Sequence, residues 1–511
     1  MRPPLIQRRR RNASHCKRER GVTMAIVAVS LVALIAMAAL SIDLGTLYQA
    51  KTEAQRAADE AALAAARTIS MEGLTGDPTN ASGFWSQICG GPSSLATLAA
   101  NTVVQQNLVA GVPPPLPLVT FSAPGGGAPN QDCTLLGAAG GAFGVNPQVT
   151  VLVQRSNLPI FFARVFSLLG GNYFNTSVGA TATAEVFNPS NSATYVGNVI
   201  PVQPRCVKPF IVPNYDPYLG CNSSAGACPQ FVNPANGNLG RAGISAQSGG
   251  GGGVIGERFW LLADCRTTGS TCTLQGSGQP QANYSGSPYV GANIQYVPGQ
   301  TSFQSIAITA DGSAACSAVT GNYAQAIAGC DQSTQYQCGV PASSATNPYQ
   351  VNLSENPVAT GDTTNGVQCL IHENSIDLTQ TEGQDLLLPQ GTFATGSLPP
   401  DYPFQIQVGS HSPLLNATPP VPSTGLITAS SSIISLPIYD SPPGVNTINP
   451  TGPTNVTIVG FLQVFINVVD ANGNVYVTVL NVSGCGNGTT PVSSYPLYGT
   501  SPVPVRLITP P

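Results

Sequence analysis

Between Gly21 and Ile42 the chain reads GVTMAIVAVSLVALIAMAALSI, 22 residues without a single charge. Coiled as a helix, such a run extends about 33 Å, enough to cross the hydrocarbon core of a bilayer. No soluble fold is needed to explain it, and few soluble folds would tolerate it. The charges on either side give it a direction. The first 20 residues hold eight cations (Arg2, Arg8, Arg9, Arg10, Arg11, Lys17, Arg18 and Arg20) against one anion, Glu19, and Asp43 follows the run. The positive-inside rule then keeps residues 1–20 in the cytoplasm and sends the rest across. A basic tail in another place would suit nucleic acid. Directly before an apolar span it reads as topology, and no nucleic-acid partner is expected. The competing reading is a cleaved signal peptide, since Ala36-Met37-Ala38 resembles a cleavage pattern. The run is longer than the usual apolar core of such a peptide, and the helical pattern continues beyond it.

That continuation, Asp43–Ser70, is DLGTLYQAKTEAQRAADEAALAAARTIS. It contains no proline and is dominated by strong helix formers. Arg56 and Glu60 are placed to pair at i,i+4. Ala50, Ala54, Ala57, Ala61 and Ala64 draw a narrow stripe of small side chains that lets a neighbour approach closely. Two readings stay open: a helix lying on its own domain, or a stem that packs against other stems.

Beyond the basic tail the net charge is acidic. The overall −4 divides into +7 on the tail and −11 on the body, whose charged residues are 11 cations and 22 anions. Only 8% of all residues are charged, against about 25% in an average soluble protein. Hydrophobic residues make up 42%, so the chain lacks the composition of a disordered one. The spacing in Thr176–Val186 predicts a half-buried strand, with Val178, Ala180, Ala182, Ala184 and Val186 on one face and Thr181, Thr183 and Glu185 on the other. Phe161–Leu169 reads as a short helix. Pro113–Pro117 and Gly125–Gly127 mark a loop. Near the end, Val456–Val469 and Val475–Leu480 read as strands joined at Asn472-Gly473, a favoured two-residue hairpin turn, and Ser432–Tyr439 as another strand. The five glycines Gly249–Gly253 lack the Gly-Lys-Ser/Thr of a phosphate loop and read as a flexible turn. The fold class expected is α+β: a long N-terminal transmembrane and stem helix, a small α+β unit, and a large β-rich, sandwich-like exported region. The division is 1–20 basic tail, 21–42 span, 43–70 stem, 71–190 α+β unit and 191–511 β-rich region.

Cysteine usage agrees with export. Cys16 lies in the tail, and twelve others follow the span: Cys89, Cys133, Cys206, Cys221, Cys228, Cys265, Cys272, Cys316, Cys330, Cys338, Cys369 and Cys485. An even number in an exported body suits disulfides. Cys221/Cys228 and Cys265/Cys272 each suit a small closed loop. Metal binding is the weaker alternative, because no Cys-x-x-Cys pair exists and Cys369-x-x-His372 stands alone. Catalytic signals are sparse. The sequence has neither a Gly-x-Ser-x-Gly elbow nor His-Glu-x-x-His, and its exported histidines are His372 and His411. His372 beside Glu373 suits acid–base chemistry or a turn. No metal, cofactor or small-molecule substrate is expected, and the protein reads as a non-enzyme.

The order Arg20-Gly21, apolar run, Ser41-Ile42-Asp43-Leu44-Gly45, Tyr48 and Gln55–Ala66 resembles the TadG-like N-terminal segment of Flp (tight adherence) pilus-assembly proteins, in the TadE/TadG group. Val149–Val153, Pro159–Phe166 and Thr176–Val186 resemble the same proteins, so the likeness spans roughly the first 190 residues. It implies a single-pass component of the bacterial inner membrane with a periplasmic body, meeting membrane lipid and pilus or secretion machinery. Some relatives are pseudopilins cut after a Gly that has a Glu five positions on. Gly21 and Val22 form the matching bond, yet Ile26 stands where the Glu would be. That difference favours a retained, anchored accessory protein over a processed subunit. Longer relatives carry a von Willebrand A-like domain, whose metal site needs Asp-x-Ser-x-Ser. Asp311-Gly-Ser313-Ala-Ala315 lacks the second Ser, and Asp377-Leu-Thr379-Gln-Thr381 follows a polar stretch rather than an apolar strand. Two further readings stand beside the pilus role: a surface adhesin or structural envelope protein, and a secreted hydrolase.

Overall fold

The computed structural model describes residues 19–124, 128–136, 142–159, 162, 176–189, 202–218, 229–245, 252–262, 292–299, 306–308, 314–332, 336, 350–351, 361–376, 378, 380–388, 402–418, 420–440, 454–485 and 497–508. One helix, α1 (Glu19–Met71), takes in both the span and the stem without a break. Its 53 residues extend roughly 80 Å. It stops at Gly73, whose φ of +64° is a left-handed conformation that favours glycine.

The two halves of α1 lie in different surroundings. From Gly21 to Ile42 nearly every side chain is exposed. From Ala50 onward one side is sealed, with Ala54, Ala57, Ala58, Ala61, Ala62, Ala65 and Ala66 all fully buried. The seal is a four-stranded antiparallel sheet together with helix α3 (Leu95–Gln106). The sheet comprises β1 (Leu118–Ser122), β2 (Gln148–Arg155), β3 (Val178–Val186) and, from the far end of the chain, β18 (Val505–Ile508). The register pairs Val151 with Ala182 and Val505 with Val186. Ala180, Ala182 and Ala184 of β3 belong to the same core as the stem alanines. Small residues on both partners allow helix and sheet to approach closely. Ala50, Ala54, Ala57 and Ala61 of the stripe are thus covered by the chain's own sheet and the helix Leu95–Gln106, while Ala64 is half-buried, so the stem packs on its own domain.

The alternation expected in β3 holds only at its start. Thr181 is exposed, but Thr183 and Glu185 are buried. Thr183 shares a 2.9 Å hydroxyl contact with Thr150 across the strand pair, and Glu185 is bridged by Arg506 of β18 at 2.8 Å. Cross-strand polar pairing lets the second face close over. The short helix expected at Phe161–Leu169 lies, apart from Phe162, outside the described residues.

The β-rich region centres on a seven-stranded mixed sheet ordered β7-β6-β16-β15-β13-β5-β8. Its strands are β5 (Phe210–Pro213), β6 (Arg258–Leu262), β7 (Asn293–Gln295), β8 (Val297–Pro298), β13 (Ile433–Tyr439), β15 (Ile458–Val469) and β16 (Val475–Gly484). Every residue of β15 and β16 is buried. Strands covered on both faces lose the alternation that marks a half-exposed sheet, which is why IVGFLQVFINVV reads as a nearly continuous apolar run. Parallel pairings of β13 with β5 and β6 with β7 set this sheet apart from an all-antiparallel sandwich. A three-stranded sheet of β10 (Leu386–Leu388), β11 (Gln405–Gln407) and β12 (Leu426–Ile427) lies beside it, and the helix Asp362–Ile371 packs on β15. Small two-stranded sheets pair β4 (Val202–Pro204) with β17 (Leu497–Gly499), and β9 (Gln350–Val351) with β14 (Thr454–Asn455).

The β15–β16 hairpin forms where expected but turns differently. Asp470 N–H donates to Asn474 O at 2.9 Å and Gly473 N–H to Asp470 O at 3.2 Å, with Gly473 at φ +78°. This is a three-residue loop, a tight turn followed by a left-handed glycine, not a two-residue turn on Asn-Gly. The Asp470 carboxylate selects it, accepting from the Asn472 and Asn474 amides at 2.9 and 2.7 Å. The glycine run also differs from expectation where it is described. Gly253 is buried, and a Cβ there would stand 1.9 Å from Gly243 O. Close packing, and not freedom, requires glycine at that position.

The stem helix and its seat

The polar residues of the stem fasten it along its length. Asp43 closes the apolar run and is buried, its carboxylate accepting the Phe162 N–H at 3.0 Å. On one flank Lys51 and Gln55 donate to the β3 carbonyls of Gly179 and Thr181, which lie beyond the stretch of β3 that pairs with β18. On the other, Glu53 accepts from the Ala110 N–H at 2.7 Å and Glu60 from the Asn107 side chain at 2.8 Å. The expected Arg56–Glu60 pair is present at 2.9 Å. It is largely exposed, so it adds little stability.

The base of the stem is where distant segments meet. Ser70 donates its hydroxyl to Val503 O at 3.0 Å, and its carbonyl accepts the Asn481 amide at 2.7 Å. The Asn188 side chain donates to Thr75 Oγ1 at 3.0 Å and to Val482 O at 3.1 Å. Glu72 Oε2 accepts the Phe404 N–H at 2.7 Å, and the Tyr402 hydroxyl donates to the Glu72 carbonyl. Glu72 is fully buried and its Oε1 has no partner among the described residues. Burial pushes its carboxyl well above the ordinary range, opposed by the Phe404 hydrogen bond. These bonds join α1 to both large sheets, and a single hydrophobic core runs from Ala50 to Val503.

A second buried charge cluster stands behind the large sheet. The Arg241 guanidinium bridges Asp216 and Glu257, the latter at 2.8 Å. Burial, reinforced by the Asp216 carboxylate, pushes the Glu257 carboxyl up to about 9 despite Arg241. One cation between two buried carboxylates cannot hold both ionised at low cost.

The residues singled out from sequence scatter. Gly21 and Val22 lie within continuous helix at the start of the exposed stretch. Cys89 bonds to Cys133, Cys206 to Cys330 and Cys316 to Cys369, and Cys485 is also in a disulfide. Cys16, Cys221, Cys228, Cys265, Cys272 and Cys338 lie outside the described residues, as do Asp311, Ser313, Asp377 and Thr379. The Cys369 sulfur is committed to its bridge, so Cys369-x-x-His372 is not a ligand pair. His372 caps the helix Asp362–Ile371 in a left-handed conformation, and Glu373 beside it is fully buried. Among the described residues no three His, Cys, Asp or Glu side chains gather as a metal site. Sequence reasoning missed Glu72, Asn188 and Asn481, whose partners are separated from them by up to several hundred residues. Only Asp43, the first charge after the apolar run, had a local signal.

Residues 21–68 match the family model described as putative Flp pilus-assembly TadE/G-like. The match begins at the first residue of the apolar run and ends three residues before α1 does. It therefore covers the unit defined by the geometry, a helix that is apolar and exposed above and packed below. No curated protein and no solved structure matches the chain.

Proposed function

We propose that this protein is a membrane-anchored accessory or assembly component of a Tad-type Flp pilus system, without enzymatic activity. The observation that carries the reading is the continuity of α1. The described helix that is long and apolar enough to cross a membrane is the same one whose lower half forms the core of the folded body. Such a body cannot swing freely from its anchor. On this reading residues 1–20 stay in the cytoplasm, residues 21–42 cross the inner membrane, and the disulfide-bonded body stands in the periplasm. The partners are membrane lipid and proteins of the pilus machinery. Ile26, five positions after Gly21, favours retention over pilin-like processing.

Deleting the gene and counting Flp-type pili by electron microscopy tests the role. Pili should be lost and return with the full chain, but not with a chain carrying a cleavable signal peptide in place of residues 1–42. Normal piliation combined with reduced surface attachment would move the assignment to an adhesin.

A further inference from the structure

A groove runs from the stem to residues of β13 and β15 in the large sheet. Its first part, about 700 Å³, is bordered by Arg56, Glu60 and Arg67 of α1 and by Gln463, Ser501 and Val505. Its second part, about 540 Å³, reaches Lys208, His372 and the Cys206–Cys330 bridge. Ser430, Ile433 and Thr500 line both parts, so the two adjoin.

The chemistry of the groove runs against that of the body around it. The chain beyond residue 20 has twice as many anions as cations, 22 against 11. Of those 11 cations, three line this groove: Arg56, Arg67 and Lys208. The carboxylate among its described lining residues is Glu60, already engaged by Arg56 and Asn107. Arg67 makes no ion pair among the described residues. Lys208 is buried, its amine donating to Gly329 O at 2.6 Å; burial lowers its pKa to about 7, opposed by the nearby Asp331, so an incoming carboxylate would favour its charged form. Gln463 supplies an independent sign of a missing occupant. It is only 7% exposed, its amide nitrogen donates to Ser501 at 2.9 Å, and its Oε1 is buried with no donor among the described residues. A buried carbonyl left bare costs free energy that an incoming N–H would recover.

We propose that this groove binds an extended acidic peptide segment of a partner protein, with carboxylates on Arg67 and Lys208 and a backbone N–H on Gln463 Oε1. The arrangement gives two adjoining cavities, with Arg67 and one unfilled acceptor in the first and Lys208 in the second. That is what a short acidic strand needs and a compact small anion does not. The inference stands on the groove alone and survives if the pilus assignment fails.

The test uses the full chain in lipid nanodiscs and the fluorescence anisotropy of two rhodamine-labelled probes, hexaglutamate and hexaglutamine. Hexaglutamate should bind about tenfold or more tighter than hexaglutamine, with the difference shrinking as salt is raised. Arg67→Gln and Lys208→Met should each weaken it by about fivefold or more, whereas Arg155→Gln, on β2 and outside the groove, should leave it unchanged. Retention of the Cys89–Cys133, Cys206–Cys330 and Cys316–Cys369 disulfides in each variant, read by mass spectrometry, certifies folding. If Lys208→Met does not fold, Arg67→Gln decides alone. Equal binding of the two probes, or unaltered binding by Arg67→Gln, overturns the proposal. So does self-association that Arg67→Gln abolishes and hexaglutamate fails to displace, which would make the occupant a second copy.

Discussion

At Gly73 the chain must leave α1 and pass under the large sheet. A Cβ built there would stand 2.5 Å from Leu480 O, in a backbone region that side chains rarely adopt. Gly73→Ala should therefore cost about 2–4 kcal/mol, from left-handed strain and overpacking together. Urea denaturation in detergent reads this, and an unchanged midpoint would refute it. Glu257 gives a prediction with a sign. Its folded value, about 9, lies above the ordinary 4.5, so the folded state holds a proton that the unfolded state has released. That contribution is fully present below about 4.5 and is lost as pH rises through about 9. Glu257→Gln should flatten the fall in stability over that window, and an identical slope in the variant would show that the carboxyl is not the cause. Sequence gave no access to either residue's role, since both depend on neighbours remote along the chain. Asp43 was legible because a lone charge ending an apolar run is conspicuous.

Among the elements, the stem and the β15–β16 hairpin were readable because their signals are local. Helix formers without proline gave α1, and clustered β-branched residues around a turn gave the hairpin. The turn geometry was not readable, because Asp470 rather than Asn-Gly sets it. Nor was the partner of the alanine stripe: small residues announce a close approach without saying to what. The structure assigns that approach to β3. Ala61 is fully buried in the core that the stem shares with β3 and the helix Leu95–Gln106, so Ala61→Leu should destabilise the body by about 1–3 kcal/mol. Leu34→Ala, in the exposed apolar stretch, should leave body stability unchanged. Equal melting of wild type and Ala61→Leu would mean that the stem does not seat in the body's core.

For the whole molecule, the covalent and the membrane frames have to agree. Non-reducing peptide mapping should recover Cys89–Cys133, Cys206–Cys330 and Cys316–Cys369, whose sequence separations are 44, 124 and 53. Closing loops of that size contributes about 4 kcal/mol each in the chain-entropy model, so free thiols at these positions would argue against an exported body. The α+β class was legible in composition and periodicity. The joint that unites the molecule was not, because Ser70, Glu72 and Thr75 meet Asn188, Phe404, Asn481 and Val503 only once the chain has folded. The central claim is that one uncut helix serves both membrane and body. N-terminal sequencing of the protein from the membrane fraction tests it most directly. A retained anchor keeps the basic residues Arg8–Arg20 ahead of the span. A start at Val22 would overturn retention in favour of pilin-like processing. A start near Ala39 would remove the span and contradict the claim outright.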